Sequence, residues 1–163
     1  MLDIRVGNGF DVHAFAEGNE ITLCGLQIPF SKKLLGHSDA DVGLHAITDA
    51  LYGAVASGDI GTHFPPSDNA WKNAASEFFL KHAVQLVEEL GFKINNVDCT
   101  IICEQPRIGP LSNQMKSSVS KMMNLDINRI SIKATTTEKL GFLGREEGIA
   151  CQVSVSVFKI NEH

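Results

Sequence analysis

Asp11 and His13 stand two residues apart in the segment GFDVHAF, a spacing that sends both side chains to the same side of an extended backbone. A carboxylate and an imidazole so placed suit a divalent metal ion, although the same pair is also common in surface turns. His45 strengthens the metal reading. It lies in DVGLHAITDALYGAVAS, where Ala46, Ile47, Ala50, Leu51, Ala54 and Val55 gather on one side of a helix. Asp41, His45 and Asp49 recur at i, i+4 and i+8 on another side. Two imidazoles and a carboxylate with no thiolate match a catalytic zinc that keeps its fourth position open. Asp41 or Asp49 then either holds the second nitrogen of His45 from one turn away or is a solvated helix carboxylate; neither counts as a ligand.

Three further segments carry chemistry of a related kind. Gly36, His37, Ser38 and Asp39 combine an imidazole, a hydroxyl and the start of that helix, where free N–H groups and the helix dipole attract anions; they are either a phosphate site or an ordinary N-cap beside an exposed histidine. Ala134 to Phe142, ATTTEKLGF, brings three hydroxyls and the Glu138 carboxylate to the end of a strand. Hydroxyls can hold phosphate oxygens and Glu138 a divalent cation that bridges them, but the same spacing also makes a plain helix cap. Asp59 to Asp68, DIGTHFPPSD, is a Gly/Pro loop whose Asp59 suits a ribose diol, or else a simple connector between helices.

The elements that must position these groups alternate along the chain. Ile4 to Val6 and Ile21 to Gln27 read as strands that pair as an edge hairpin. A helix from about Asp39 to Ala56 follows, with Ser38 to Asp41 as its capping box. Asn73 to Leu90 makes a second helix, with Phe79, Ala83, Leu86, Val87 and Leu90 inward and Gly91 to stop it. Val97 to Cys103 is a strand, Pro110 to Asn124 a helix and Arg129 to Ala134 a strand. In the last strand, Ile149 to Ile160, a dry face (Ile149, Cys151, Val153, Val155, Val157) alternates with Gln152, Ser154 and Ser156. That polar face meets either solvent or another subunit. The fold class expected is α+β, an α/β-type sandwich with a mixed four-stranded sheet and helices packed on one face, in a single domain over residues 1–163.

A net charge of −5 gives no basic footprint for DNA or RNA, so phosphate must be held locally, by metal ions, N–H groups and a few cations. Cys24, Cys99, Cys103 and Cys151 form no C-x-x-C pair and read as buried thiols of a reducing compartment. The start MLDIRVGNGFDVH has neither a signal nor a transit pattern, and no apolar run reaches membrane length. Cytoplasmic location, in a bacterium, is the expectation, with a processed plastid form as the alternative.

GFDVHAF, LLGHSDADV, HAITDAL, GDIGTHFP, KATTTEKLGF and GREEGIA, in this order between about Ile4 and Lys159, resemble the 2-C-methyl-D-erythritol 2,4-cyclodiphosphate synthase family of non-mevalonate isoprenoid synthesis. The resemblance implies a homotrimer around a three-fold axis with active sites between subunits, which assigns the polar face of the last strand to a subunit contact. It implies conversion of 4-diphosphocytidyl-2-C-methyl-D-erythritol 2-phosphate to the cyclic diphosphate and CMP, the substrate's 2-phosphate attacking its own β-phosphorus. No protein nucleophile is then needed; positioning and charge neutralisation carry such transfers.

Residue by residue, the resemblance implies zinc on Asp11, His13 and His45 and magnesium or manganese on Glu138. His37 and Thr136 would stabilise the transition state. Ser38, Asp59, Ile60 and Gly61 would hold substrate, Phe64, Pro65, Pro66, Ser67 and Asp68 would close over it, and Phe142 and Arg145 would complete the pocket. Cys103, Glu104, Gln105, Pro106, Arg107, Ile108 and Gly109, with Ala134, Thr135 and Thr136, would bind cytidine. Phe10, Arg145 and Glu147 would line a central cavity able to take an isoprenoid diphosphate. The sequence departs from the family pattern at Pro66, Arg107 and Glu146, which touches the lid, a cation near the nucleotide and the charge beside Arg145. A zinc phosphohydrolase and a non-catalytic nucleotide sensor are the competing functions.

Overall fold

In the computed structural model, which describes residues 1–71 and 73–160, the chain opens with a long strand, β1 (Leu2–Glu17), and the short strands β2 (Glu20–Leu23), β3 (Leu26–Pro29) and β4 (Lys32–Leu34). Helix α1 (Val42–Ala54), the single turn α2 (Ile60–His63) and helix α3 (Ser76–Glu89) come next. The second half holds β5 (Lys93–Ile102), α4 (Ser112–Met123), β6 (Ile130–Thr135), the turn α5 (Gly141–Gly144) and β7 (Gly148–Ile160). The main sheet has the order β4-β1-β7-β5-β6, with β5 and β6 parallel and the other neighbours antiparallel. It has five strands where four were expected; the fifth is β4, a three-residue edge strand too short to leave a periodic signal.

The expected hairpin between Ile4–Val6 and Ile21–Gln27 does not form. β1 pairs along nearly its whole length with β7, from Leu2 opposite Ile160 to Ala14 opposite Gly148. The segment Ile21–Gln27 is itself folded over, into the two-stranded sheet of β2 and β3, by Cys24 and Gly25, both at positive φ. A run of apolar residues does not reveal which strand it pairs with; that is set by long-range burial.

The dry face read from the last strand is correct: Ile149, Cys151, Val153, Val155 and Val157 are buried. Val97, Cys99 and Ile101 of β5 and Ile130 and Ile132 of β6 share that core with α1, α3 and α4. In α3 the inward set holds for Phe79, Ala83 and Val87, whereas Leu90 is exposed beyond the helix end, where Gly91 at φ 80 turns the chain. All four cysteines are buried free thiols. The opposite face of the sheet, with Ile4, Val6, Phe10 and Val12, is exposed in the single chain.

Two glycines decide how closely α1 approaches β1. A Cβ on Gly9 would lie 1.9 Å from the carbonyl oxygen of Ala46, and one on Gly7 would lie 1.9 Å from that of Ala50. Only at glycine can the helix backbone rest on the strand backbone. Positions 7, 9, 11 and 13 alternate onto the same face, so the contact that begins at Gly7 and Gly9 continues to Asp11 and His13 and brings His45 over them.

Helix α1 begins at Val42 and not at Asp39. Ala40 at φ 55 breaks the helical path, and Asp41, rather than Ser38, is the N-cap, its carboxylate accepting from Leu44 N–H at 3.0 Å. The same carboxylate accepts from Cys24 N–H at 2.8 Å and Gly25 N–H at 2.7 Å. Asp41 thus joins the helix start to the β2–β3 turn.

Candidate metal centre

Asp11 Oδ2 lies 3.0 Å from His13 Nε2 and 3.1 Å from His45 Nδ1, and the two ring nitrogens are 3.2 Å apart. Among the described residues these three form the one group whose donor atoms converge as metal ligands do. The dimensions fit zinc: with bonds of about 2.0–2.1 Å, the edge of a tetrahedron is about 3.3 Å. The ring orientations fit as well. His13 Nδ1 is 2.8 Å from the carbonyl oxygen of Leu35 and so must carry the proton and donate, which leaves the Nε2 lone pair free for a metal.

Of the two readings open for Asp41 and Asp49, that of a partner behind His45 holds for neither. Asp41 is fully buried under the β2–β3 turn, and Asp49 accepts from Ile60 N–H at 2.9 Å, where it fixes the start of α2. The second nitrogen of His45 instead faces Ser76 Oγ at 2.8 Å and Ser38 Oγ at 3.3 Å. Ser76 is a residue of the triad's surroundings that the sequence reading missed, because it comes from α3, whose helix start carries no signal pointing to α1.

Burial acts to raise the Asp11 carboxyl, but in the metal-free protein the imidazoles of His13 and His45, when protonated, donate to it, and these bonds with their charge outweigh burial and bring the group down to about 2. Burial acts to lower His13, and the bond to Asp11 outweighs it, so His13 is raised. The sign for metal-free stability follows. A lowered carboxyl contributes above its unfolded value of 3.8 and loses that contribution as pH falls toward about 2. A raised imidazole contributes below 6.5 and loses its contribution as pH rises through the folded value. In the presence of a chelator, the urea stability of wild type over Asp11→Asn should therefore be greatest between about pH 4 and 6.5. A difference that is flat from pH 2 to 8 would contradict the pairing.

Beside the triad is a cleft of about 360 Å³. Of the residues singled out in the sequence, His13, His37, Ser38, His45, Ile60, Phe64, Pro66 and Asp68 line it. Asn69 and Trp71 line it too and had not been singled out, and Phe79, read only as an inward residue of the second helix, also reaches it. Phe64 packs edge-on against Trp71 at 4.9 Å and lies 4.9 Å from Phe79, so an aromatic cluster fixes the loop that was read as a lid. Asp59, Gly61, Pro65 and Ser67 do not line the cleft, although they belong to the same loop; Asp59 caps α2 by accepting from Thr62 N–H at 2.8 Å.

The cytidine set is assembled elsewhere. The parallel pair β5 and β6 ends with Ile101 opposite Ala134 and Ile102 opposite Thr135, and Cys103 N–H donates to Thr135 at 3.1 Å. That joins Cys103–Gly109 to Ala134–Thr136. The peptide bond between Gln105 and Pro106 is cis. Cys103 and Ile108 are buried, whereas Gln105, Arg107 and Gly109 are exposed.

Glu104 holds the Thr-rich segment in shape, accepting from Thr137 N–H and Lys139 N–H, each at 3.2 Å. No helix begins at Thr135 to Glu138; Thr136 Oγ1 accepts from Glu138 N–H in a turn, and Glu138 sits exposed at φ 53. Neither Glu138 nor Thr136 lines the cleft of its own chain. Arg145 pairs with Glu147 at 2.9 Å in a second, open cleft with Phe15 and Lys32. Phe142 is exposed, and Phe10 lies on the uncovered sheet face and not in that second cleft. Glu146 adopts φ 58, a conformation that glycine and Asn take up more readily than Glu.

Similarity to known proteins covers nearly the whole chain. The YgbB family model matches residues 4–158. A 2-C-methyl-D-erythritol 2,4-cyclodiphosphate synthase of Roseobacter denitrificans is 59% identical over 97% of this chain and 99% of its own length. A bifunctional enzyme IspD/IspF of Ruegeria sp. is 57% identical over 96% of this chain, which spans 41% of that relative. Among solved structures, the bifunctional IspDF of Campylobacter jejuni superposes with a TM-score of 0.94 at 43% identity, covering 99% of this chain and 44% of that one. A CDP-bound 2C-methyl-D-erythritol-2,4-cyclodiphosphate synthase superposes at 0.85 with 37% identity, over 93% of this chain and 98% of the other. On a family match across almost its full length, this chain belongs to the YgbB family.

Proposed function

We propose that this chain converts 4-diphosphocytidyl-2-C-methyl-D-erythritol 2-phosphate into 2-C-methyl-D-erythritol 2,4-cyclodiphosphate and CMP. The observation that carries the reading is the Asp11, His13 and His45 triad, set at ligand spacing beside a cleft, in a chain similar along its whole length to synthases of that name. A 2-phosphate oxygen forms a bond to the β-phosphorus, and the bond from that phosphorus to the oxygen of CMP breaks. Zinc at the triad and magnesium or manganese at Glu138 supply Lewis-acid charge for phosphate oxygens when bound. His37 and Ser38 orient the methylerythritol phosphate from the cleft wall, and the segment Phe64–Asp68 excludes water above it. Cys103–Gly109 and Ala134–Thr136 read the cytosine through backbone groups, with Thr136 against the nucleotide phosphates.

The separation of Glu138, Thr136 and the cytidine loop from the triad cleft supports an active site completed by a second copy, in a trimer built on the uncovered face of the sheet. Gln152, Ser154 and Ser156 would then meet a subunit and not solvent. The reaction class is that of a phosphorus–oxygen lyase.

Phosphorus NMR of the protein incubated with the diphosphocytidyl substrate, zinc and magnesium tests the reading. Equal amounts of CMP and cyclic diphosphate are expected. CMP accompanied by an uncyclised phosphate product would instead identify a hydrolase, and no CMP release would reject the catalytic reading.

A further inference from the structure

We infer that Ser76 and Asp39 are positioning residues that fix the tautomer and orientation of His45, an inference that rests on the metal reading of the triad. Ser76 is fully buried at the start of α3, with its hydroxyl 2.8 Å from His45 Nε2. The same hydroxyl donates to Asp39 Oδ1, and Ser76 N–H donates to Asp39 Oδ2 at 3.2 Å.

The direction of these bonds is set by counting protons. An ionised carboxylate only accepts, and a serine hydroxyl has a single proton to donate. With that proton committed to Asp39, Ser76 Oγ can only accept from His45, so Nε2 carries the ring proton. His45 Nδ1 is thereby left as a bare lone pair, and it is the atom that faces Asp11 at 3.1 Å and His13 at 3.2 Å. Ser38 Oγ accepts from Ala40 N–H at 3.2 Å and lies 3.3 Å from Nε2, where it is a second, weaker acceptor. His13 is prepared in the same sense by the Leu35 carbonyl. Each imidazole presents an unprotonated nitrogen inward because its other nitrogen has an acceptor behind it.

Asp39 has a second consequence. The N-cap position of α3 is Ala75, which supplies no side-chain bond, so the Asp39 carboxylate closes that helix end from a distant segment. The start of α3, the segment before α1 and the ring of His45 are thus held as one unit. Loss of the Ser76 hydroxyl leaves the Asp39 bond to Ser76 N–H in place, so Ser76→Ala removes the relay while the helix cap remains.

The test uses the metal-free protein, zinc alone and a chromophoric chelator in competition. Ser76→Ala should bind zinc about 10–100-fold more weakly than wild type, and Ser76→Thr, which keeps the hydroxyl, should stay within about threefold on the same scale. Nitrogen-15 NMR of the wild-type imidazoles, which needs no variant to fold, should find His45 protonated at Nε2. A wild-type His45 protonated at Nδ1, or zinc affinity unchanged in Ser76→Ala, overturns the relay while the metal site stands. Failure of wild type to take up zinc overturns the metal reading itself and removes the role assigned to the relay.

Discussion

Replacing His45 by Ala should abolish zinc uptake and lower CMP release at least about a thousandfold, a loss on the order of 4 kcal/mol of transition-state stabilisation. The size of the effect follows from the geometry. Three donors hold the ion, and His45 Nδ1 is within 3.2 Å of both of the others, so its removal leaves a carboxylate and one imidazole, one short of the three protein ligands of a catalytic zinc site. The fold should survive. His45 belongs to the half-buried polar side of α1, and the contacts that seat the helix are those of Ala46, Ile47, Ala50 and Leu51, all fully buried. The variant should therefore unfold in urea near the midpoint of metal-free wild type while showing no bound zinc by elemental analysis. Undiminished CMP release from such a metal-free, folded variant would sink the catalytic role of the triad.

The triad was legible in the sequence because two short-range rules combine there. The two-residue spacing of Asp11 and His13 fixes their common side on a strand, and the four-residue spacing fixes His45 on the polar side of a helix. That the two elements meet was not legible from those rules. It depends on Gly7 and Gly9, whose missing side chains make room for the backbone of α1, and a glycine in a strand does not announce what approaches it.

The group behind His45 was not legible for the same reason. Helical spacing nominated Asp41 and Asp49, the nearest carboxylates along the chain, whereas the atom that reaches His45 Nε2 is Ser76 Oγ, 31 positions away. Partners of a metal ligand are chosen by tertiary packing, and periodicity within one helix carries no information about it. β4 and the turn at Cys24 and Gly25 were missed on similar grounds, since elements of three or four residues are specified by what they pair with.

Asp41 shows how much stability such a misread residue can hold. A polar position on an exposed helical stripe can be replaced at little cost, but Asp41 has no exposure and its two oxygens accept from three backbone donors: Cys24 and Leu44 on Oδ1, Gly25 on Oδ2. Burial pushes the carboxyl up, and the three N–H groups oppose it. Asp41→Ala leaves those donors with no acceptor in a dry site. An orphaned buried N–H costs about 1–3 kcal/mol and a lost N-cap about 1 kcal/mol, so even with incomplete additivity the total should reach about 4 kcal/mol.

Asp41→Asn should fall between, at about 2 kcal/mol, because its amide oxygen can replace one carboxylate oxygen while its NH₂ group opposes a backbone donor. Urea unfolding of the metal-free proteins measures both. A loss below about 1 kcal/mol in Asp41→Ala would mean that water replaces the carboxylate, and the clasp between α1 and the β2–β3 turn would then be dispensable. The expected order, wild type above Asn above Ala, separates the two donor sets, because Asn keeps an acceptor for Cys24 and Leu44 and fails only at Gly25. Since His45 lies one turn beyond this cap, the same variants should also bind zinc more weakly in proportion to how far the first turn of α1 frays.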